Sequence, residues 1–164
     1  MANPTVAVIC GSRSDLPALQ ACFDQLDALG IGWEASVISA HRQPEALRTY
    51  LAEAEAAGVV LFIGAAGMAA HLPGVMASMT ARPVIGVPLD AGSGGTDALL
   101  SMAQMPPGVP VATVAIGGAR NAAHLAARIL ALSDPAVAER VTAFRATQAA
   151  GAEVRIDPRA GSKP

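Results

Sequence analysis

The sequence predicts an α/β fold, a three-layer α/β/α sandwich of the flavodoxin-like type, with a five-stranded parallel sheet and an extra C-terminal helix. Short apolar runs alternate with longer segments of helical periodicity, and Gly or Pro residues separate many of them. The length of 164 residues suits one domain. We expect this domain to cover residues 1–150. Residues 151–164 are polar and contain Gly and Pro, so we expect a disordered tail there.

The five predicted strands are short apolar runs bounded by Gly, Pro or polar residues. Right-handed crossovers place the loops that follow the first three strands along one edge of the sheet. Ligands of open α/β sheets bind outside the carboxyl ends of the strands, so we expect the functional site at this edge. The predicted strands cover residues 5–10, 33–38, 59–64, 83–87 and 111–116.

The predicted helices lie between and after these strands, and their ends carry recognisable signals. Pro17 is tolerated in a first turn, and Gly30 and Gly58 end the helices that they follow. Ser133 and Asp134 precede the last helix as candidate N-caps. This helix comes after the sheet is complete, so we expect it to pack on a neighbouring subunit. The predicted helices cover residues 15–29, 44–57, 71–79, 97–105, 121–132 and 135–150.

Composition excludes several classes of function. The chain is 52% hydrophobic, 15% charged and 3% aromatic, with a net charge of −2, so we expect no nucleic-acid partner. No apolar run is long enough, and free enough of Gly and Pro, to span a membrane. Nothing at the N-terminus resembles a signal peptide, so we expect a cytoplasmic protein. Cys10 and Cys22 lack metal-ligand spacing, so we expect free thiols and no metal site. The excess of apolar over charged residues favours a homo-oligomer.

The loop Gly11-Ser12-Arg13-Ser14-Asp15 follows the first predicted strand. Its small residues let backbone N–H groups face an anion at the positive end of the next helix. Ser12 and Ser14 add hydroxyl donors, and Asp15 either caps the helix or accepts hydrogen bonds from sugar hydroxyls. The loop contains neither a dinucleotide fingerprint nor a P-loop lysine, and an ordinary N-cap turn is the alternative.

The loops after the second and third strands each carry a histidine. In Ser39-Ala40-His41-Arg42, His41 is a candidate acid or base near neutral pH, and the planar fork of Arg42 suits a phosphate. In the segment 64–74, small side chains allow a flat ring to lie against the backbone, and His71 stands at the start of a short helix. A strand-capping or helix-start histidine is the alternative in each case. His124 lies within a helix, where we expect a surface or interface residue.

With these motifs, the chain resembles the N5-carboxyaminoimidazole ribonucleotide mutases, the small carboxylase-type enzymes of purine biosynthesis. The resemblance spans about residues 6–148 and rests on several blocks in the right order. These blocks are Gly11-Ser12-Arg13-Ser14-Asp15, Ser39-Ala40-His41-Arg42-Gln43-Pro44, Ala69-Ala70-His71-Leu72-Pro73-Gly74, Pro83-Val84-Ile85-Gly86-Val87-Pro88 and Gln104-Met105-Pro106-Pro107-Gly108-Val109-Pro110.

The resemblance implies a homo-octamer that moves a carboxylate from N5 to C4 of an aminoimidazole ribonucleotide, with no cofactor or metal. The N5 carbamate breaks down to aminoimidazole ribonucleotide and CO2, and C4 then captures the CO2. By position, His41 is the general acid/base and His71 lines the CO2 pocket. The resemblance places Ser12, Ser39 and Arg42 near the phosphate, Asp15 near the ribose hydroxyls, and Ala66, Gly67 and Leu72 around the ring and CO2. Ser14, Ala40 and Met68 complete the expected substrate-binding residues.

Departures from the family pattern keep other functions open. Met68 stands where the family usually has a glycine. A glycine with positive φ is not freely replaced, so either this backbone is ordinary or the pocket is reshaped. The loops 90–96 and 117–121 are shorter than usual. One alternative is a direct carboxylase that uses CO2, although that branch typically has Lys where this chain has Arg42. Another is a diverged nucleotide-binding paralogue without catalysis.

Overall fold

The computed structural model describes residues 5–151, which form a five-stranded parallel sheet with helices on both faces. The strand order is β2-β1-β3-β4-β5, and all four pairings are parallel. This order is that of the flavodoxin-like fold and confirms the predicted fold class. The strands are β1 Val6–Cys10, β2 Trp33–Val37, β3 Leu61–Ala66, β4 Val84–Pro88 and β5 Ala112–Thr113.

Each predicted helix is present, with ends shifted by at most a few residues. Pro44 opens the second helix at a position where its missing N–H costs no hydrogen bond, and Gly58 ends it with a φ of 111°. A single 3-10 turn, Arg13–Asp15, precedes the first helix. The helices are α1 Leu16–Ala28, α2 Pro44–Ala57, α3 Leu72–Met79, α4 Thr96–Ala103, α5 Ala119–Leu130 and α6 Pro135–Gly151.

The three central strands, β1, β3 and β4, are buried on both faces, as is typical of a parallel sheet with crossover helices. Along β1, Val6, Val8 and Cys10 face the layer that contains α1, α5 and α6. The alternate residues Ala7 and Ile9 face α2 and α3. Because both sets are buried, β1 is apolar throughout rather than alternating with polar residues.

Small residues set the distance between the layers. At Gly64 of β3, an added Cβ would lie 2.9 Å from Sδ of Met76 and 3.1 Å from Cγ of Pro73, both in α3. Only glycine lets α3 approach the sheet this closely. On the other face, α5 presents a row of fully buried alanines to α1 and the sheet. These are Ala119, Ala122, Ala123, Ala126 and Ala127.

Two predicted strands differ from those observed by more than one residue at an end. The third begins at Leu61 rather than at 59, because the backbone N–H of Val59 bonds to the carbonyl of Ala54 and completes the turn after α2. The fifth was predicted over 111–116 but pairs only at Ala112 and Thr113. The chain then turns at Gly117, whose φ is 67° and whose N–H bonds to the carbonyl of Pro88.

The first half of α6 packs on its own chain, and the expected packing of this helix on a neighbouring subunit stays a prediction. Val137 is buried against the α1 and α5 layer, and Val141 and Phe144 pack on the same cluster. The guanidinium Nε of Arg140 donates a 2.5 Å hydrogen bond to the carbonyl of Leu29 after α1. The predicted tail 151–164 lies outside the described residues apart from Gly151, which ends α6.

None of the helices within residues 5–151 is long and apolar enough to cross a bilayer.

The two cysteines are free thiols and both are buried, as the sequence predicted. Burial, followed by the charge of Asp15, raises the pKa of the Cys10 thiol to about 11. Burial raises the pKa of the Cys22 thiol to about 12. At pH 8 both thiols are therefore protonated in the native state. Because only the thiolate acts as a nucleophile, both cysteines should react slowly.

We expect native Cys10 and Cys22 to react with iodoacetamide at pH 8 about 100-fold more slowly than the same thiols in the urea-unfolded chain, where the pKa is about 8.5. Mass spectrometry of timed samples measures both rates.

The raised native pKa values also mean that unfolded thiols lose protons above about pH 8.5 while native ones keep them. The free energy of unfolding should therefore fall between about pH 9 and 11. Alkylation rates that are equal in the native and the unfolded chain would contradict the burial of the two thiols.

Candidate active site

The loops that follow β1, β2 and β3 begin side by side at the carboxyl edge of the sheet. Cys10, the last residue of β1, pairs with Val37 of β2 and with Ala65 of β3. The three loops enclose a cavity of about 320 Å³. This is the edge at which the topology predicts a ligand site.

The cavity collects eleven of the twelve predicted site residues, and Arg42 is the exception. Three further lining residues, Gly11, Ala70 and Ala91, were not among the predicted ones. Ala91 comes from the glycine-rich loop after β4, and the position of β4 next to β3 is the signal that could have identified it. The eleven are Ser12, Ser14, Asp15, Ser39, Ala40, His41, Ala66, Gly67, Met68, His71 and Leu72.

Ser12 and Asp15 form a reciprocal capping box in the first loop. The Ser12 hydroxyl oxygen accepts a 3.3 Å hydrogen bond from the backbone N–H of Ser14 and a 2.8 Å bond from its hydroxyl. The backbone N–H of Ser12 donates to Oδ2 of Asp15 at 3.1 Å. Asp15 therefore caps this turn while also lining the cavity. The box holds both serine hydroxyls at the rim.

The second loop is tied to the first through Arg42. Nη2 of Arg42 donates to the carbonyl oxygen of Gly11 at 3.3 Å, and its backbone N–H bonds to the Ser39 hydroxyl at 3.4 Å. Arg42 lines a shallow neighbouring cleft together with Ser12 rather than the cavity itself. The guanidinium thus stands beside the serine hydroxyls, where remaining N–H groups can meet an anion.

His41 and His71 are in direct contact at the cavity. Nε2 of His41 lies 2.7 Å from Nδ1 of His71, with the rings nearly perpendicular at 88°. Two lone pairs or two N–H groups would repel at this distance, so one nitrogen carries the proton and the other accepts it. Both residues are exposed to the cavity. The contact leaves Nδ1 of His41 and Nε2 of His71 for other partners.

The third loop has an unusual backbone. Met68 has a φ of 58° and Ala70 a φ of 45°, both in the left-handed region that favours glycine. This conformation costs about 1–2 kcal/mol for a residue with a Cβ. The backbone at Met68 is therefore not ordinary, and the first of the two sequence-based explanations does not hold. The Met68 side chain is 68% exposed at the cavity.

The third loop also packs tightly against the loop after β4. An added Cβ at Gly67 would lie 3.0 Å from Cβ of Ala91 and 3.2 Å from the carbonyl oxygen of Leu89. The backbone N–H of Leu89 bonds to the carbonyl of Ala66 at 2.9 Å. The wall of the cavity on this side is therefore made of backbone and small side chains, against which a flat ring can lie.

His124 is not part of this cavity. It lies on α5, with its ring against Phe144 of α6 at a centroid distance of 4.5 Å. Within residues 5–151, no group of three or more His, Cys, Asp or Glu side chains is arranged to hold a metal ion. The chemistry of the cavity thus comes from two imidazoles, hydroxyls, one carboxylate and backbone groups.

The chain is similar to proteins of known activity over most of its length. The family described as AIR carboxylase matches residues 5–151. An N5-carboxyaminoimidazole ribonucleotide mutase from Saccharolobus solfataricus is 51% identical over 142 residues, 86% of this chain and 90% of that protein. A mutase of the same name from Pseudomonas aeruginosa is 50% identical over 157 residues, 94% of this chain and 96% of that protein. The crystal structure of Treponema denticola PurE superimposes with a TM-score of 0.83 at 31% identity, covering 90% of this chain and 93% of that one.

We expect Met68→Gly to raise the free energy of unfolding by about 0.5–1 kcal/mol, because relief of left-handed strain exceeds the entropy that a glycine adds to the unfolded chain. Met68→Ala is the matched control, since it removes the exposed side chain but keeps the Cβ. Urea unfolding at one protein concentration measures all three proteins. A Met68→Ala variant as stable as Met68→Gly would contradict the strain.

Proposed function

This chain belongs to the AIR carboxylase family, and from that membership we propose that it is an N5-carboxyaminoimidazole ribonucleotide mutase of purine biosynthesis. Relatives that carry this activity match nearly its whole length, which bears out the resemblance derived from the sequence blocks. The reaction moves a carboxylate from the exocyclic N5 to ring carbon C4 of the aminoimidazole ribonucleotide.

The observation that carries the proposal is the contact between His41 and His71 over a cavity walled by small residues. This carboxylate transfer needs a proton delivered to N5 and a proton removed from C4. An imidazole can do both near neutral pH. No nucleophile or bound metal is required.

The reaction proceeds in two steps, decarboxylation at N5 and carboxylation at C4. In the first, the N5–carboxyl bond breaks, CO2 leaves, and N5 takes a proton from the His41 imidazolium. In the second, the electron pair at C4 attacks CO2 to form the C4–carboxyl bond. The now neutral His41 then removes the C4 proton, which restores the aromatic ring and the imidazolium. His71, in contact with Nε2 of His41, holds that ring in place and lines the CO2 pocket.

Retention of CO2 between the two steps is the main source of rate, because it makes the second step effectively unimolecular. Ala66, Gly67 and Leu72 form the wall that keeps CO2 beside the ring. The tight packing of Gly67 on Ala91 closes this wall against the next loop. The route uses no ATP, metal or organic cofactor.

The remaining residues bind the ribose phosphate. The hydroxyls of Ser12, Ser14 and Ser39 and the guanidinium of Arg42 lie around the junction of the first two loops, where they bind the phosphate. The Asp15 carboxylate accepts hydrogen bonds from the ribose hydroxyls through the oxygen that does not cap Ser12. Ala40 and Met68 complete the contacts at the rim.

We also propose that the protein is a cytoplasmic homo-octamer. Large apolar side chains remain exposed on the single chain, including Leu132 at 88%, Leu100 at 48% and Ile116 at 37%. Burial of such side chains between subunits is favourable. Light scattering after size exclusion should give a mass eight times that of one chain.

The direct test of the activity follows product formation by ultraviolet absorbance, with freshly made N5-carboxyaminoimidazole ribonucleotide at low bicarbonate. We expect efficient conversion by the wild type and a loss of about 10²–10⁴-fold in kcat for His41→Asn, since that variant has no acid/base group. Its oligomeric mass and melting temperature should match the wild type. Conversion only of aminoimidazole ribonucleotide with bicarbonate would instead establish a direct carboxylase. No conversion of either by folded protein, or normal activity of His41→Asn, would contradict the proposal.

Arg42→Ala should raise KM for the phosphorylated substrate about 10–100-fold with a smaller change in kcat, because a charge-assisted hydrogen bond to phosphate contributes about 1.5–3 kcal/mol. Steady-state kinetics separate the two constants. Arg48→Gln, which alters an exposed arginine of α2 outside the cavity, is the control and should behave as wild type. An unchanged KM in Arg42→Ala would mean that the phosphate binds elsewhere.

A further inference from the structure

A second and larger cavity of about 460 Å³ lies between α5 and α6. It shares no lining residue with the candidate active site. Its wall includes the arginines Arg120, Arg128 and Arg145, together with His124, and it contains no Asp or Glu. The residues that line this cavity play no part in the proposed mutase reaction.

The cationic groups are arranged in a row. Arg120, His124 and Arg128 follow one another at intervals of four residues on one face of α5, and Arg145 faces them from α6. Like charges on one helix face weaken the helix unless something neutralises them. The salt bridges within residues 5–151 belong to Arg48 and Arg82, so no carboxylate of this region pairs with the row. This contrasts with a chain whose net charge is −2.

The cavity also has an apolar and aromatic side. The ring of Phe144 packs on the ring of His124 at 4.5 Å and an interplanar angle of 41°. Leu125 and Val141 continue this wall between the two helices. Burial, followed by the charges of Arg128 and Arg120, lowers the pKa of His124 below its usual range. The imidazole is therefore mainly neutral at pH 7.5 and serves as a hydrogen-bonding group beside the guanidiniums.

We propose that this α5–α6 cavity is a second binding site, which takes a small organic phosphate carrying a ring or other apolar group. Guanidinium forks match the geometry of phosphate oxygens and bind them bidentately. The wall of Leu125, Val141 and Phe144 receives the apolar part of the ligand. The amides of Asn121 and Gln148 at the same wall supply neutral hydrogen bonds. This site does not depend on the proposed mutase activity.

The test is calorimetric titration of the full-length protein with phenyl phosphate, compared with inorganic phosphate. Phenyl phosphate should bind more tightly, because only it contacts the apolar wall. Arg128→Gln and Arg145→Gln should each weaken its binding at least five-fold, whereas Arg48→Gln should leave it unchanged. Arg42→Ala reports separately on any binding at the candidate active site. The imidazole C–H proton signals of His124 should shift on titration with the same Kd.

Three results would overturn the proposal. Binding that is equal in the wild type and both cavity variants would place the ligand elsewhere. Binding that is lost only in Arg42→Ala would assign the phosphate to the active site. Absence of binding to the wild type would overturn it as well, and a change of oligomeric mass in Arg128→Gln or Arg145→Gln would then make this cavity an interface between copies of the chain. None of these results requires or removes mutase activity, so the two proposals fail separately.

Discussion

The parallel register of β1 with its two neighbours is the constraint on which the candidate active site depends. Cys10 pairs with Val37 on one side and with Ala65 on the other, so three strands end at the same level and their loops begin side by side. A slip of one residue in either pairing would displace the next loop by about 3.3 Å. That displacement would break the contact between His41 and His71, which spans only 2.7 Å.

Local hydrogen bonds, rather than burial in the hydrophobic core, hold the loops at this edge of the sheet. The capping box of Ser12 and Asp15 shapes the first loop, and Arg42 ties the second loop to it. The third loop keeps a left-handed backbone at Met68 even though a side chain opposes it. Strain of this kind persists where surrounding structure over-determines a conformation, and it clusters at functional sites. A preformed, closely packed wall suits the proposed reaction, in which CO2 stays beside the ring.

Periodicity predicted which elements exist, but neighbouring segments set where they end. The third strand moves to Leu61–Ala66 because Val59 first completes the turn after α2. The fifth strand shortens to Ala112–Thr113 because the chain turns away at Gly117. In both cases the residues outside the observed strand are as apolar as those inside it. Hydrophobicity alone therefore does not mark the boundary.

The sequence by itself determined the fold class, the edge of the sheet that carries the site, and eleven of the twelve predicted residues that line its cavity. This was possible because alternating β and α segments restrict the topology, and topology decides which loops meet. Only the tertiary structure decided that His41 touches His71, that Ala91 joins the wall and that Arg42 lies beside the cavity. It also decided that α5 and α6 enclose a cationic cavity. These features depend on side-chain directions and on distances between segments far apart in the chain, which no local pattern encodes.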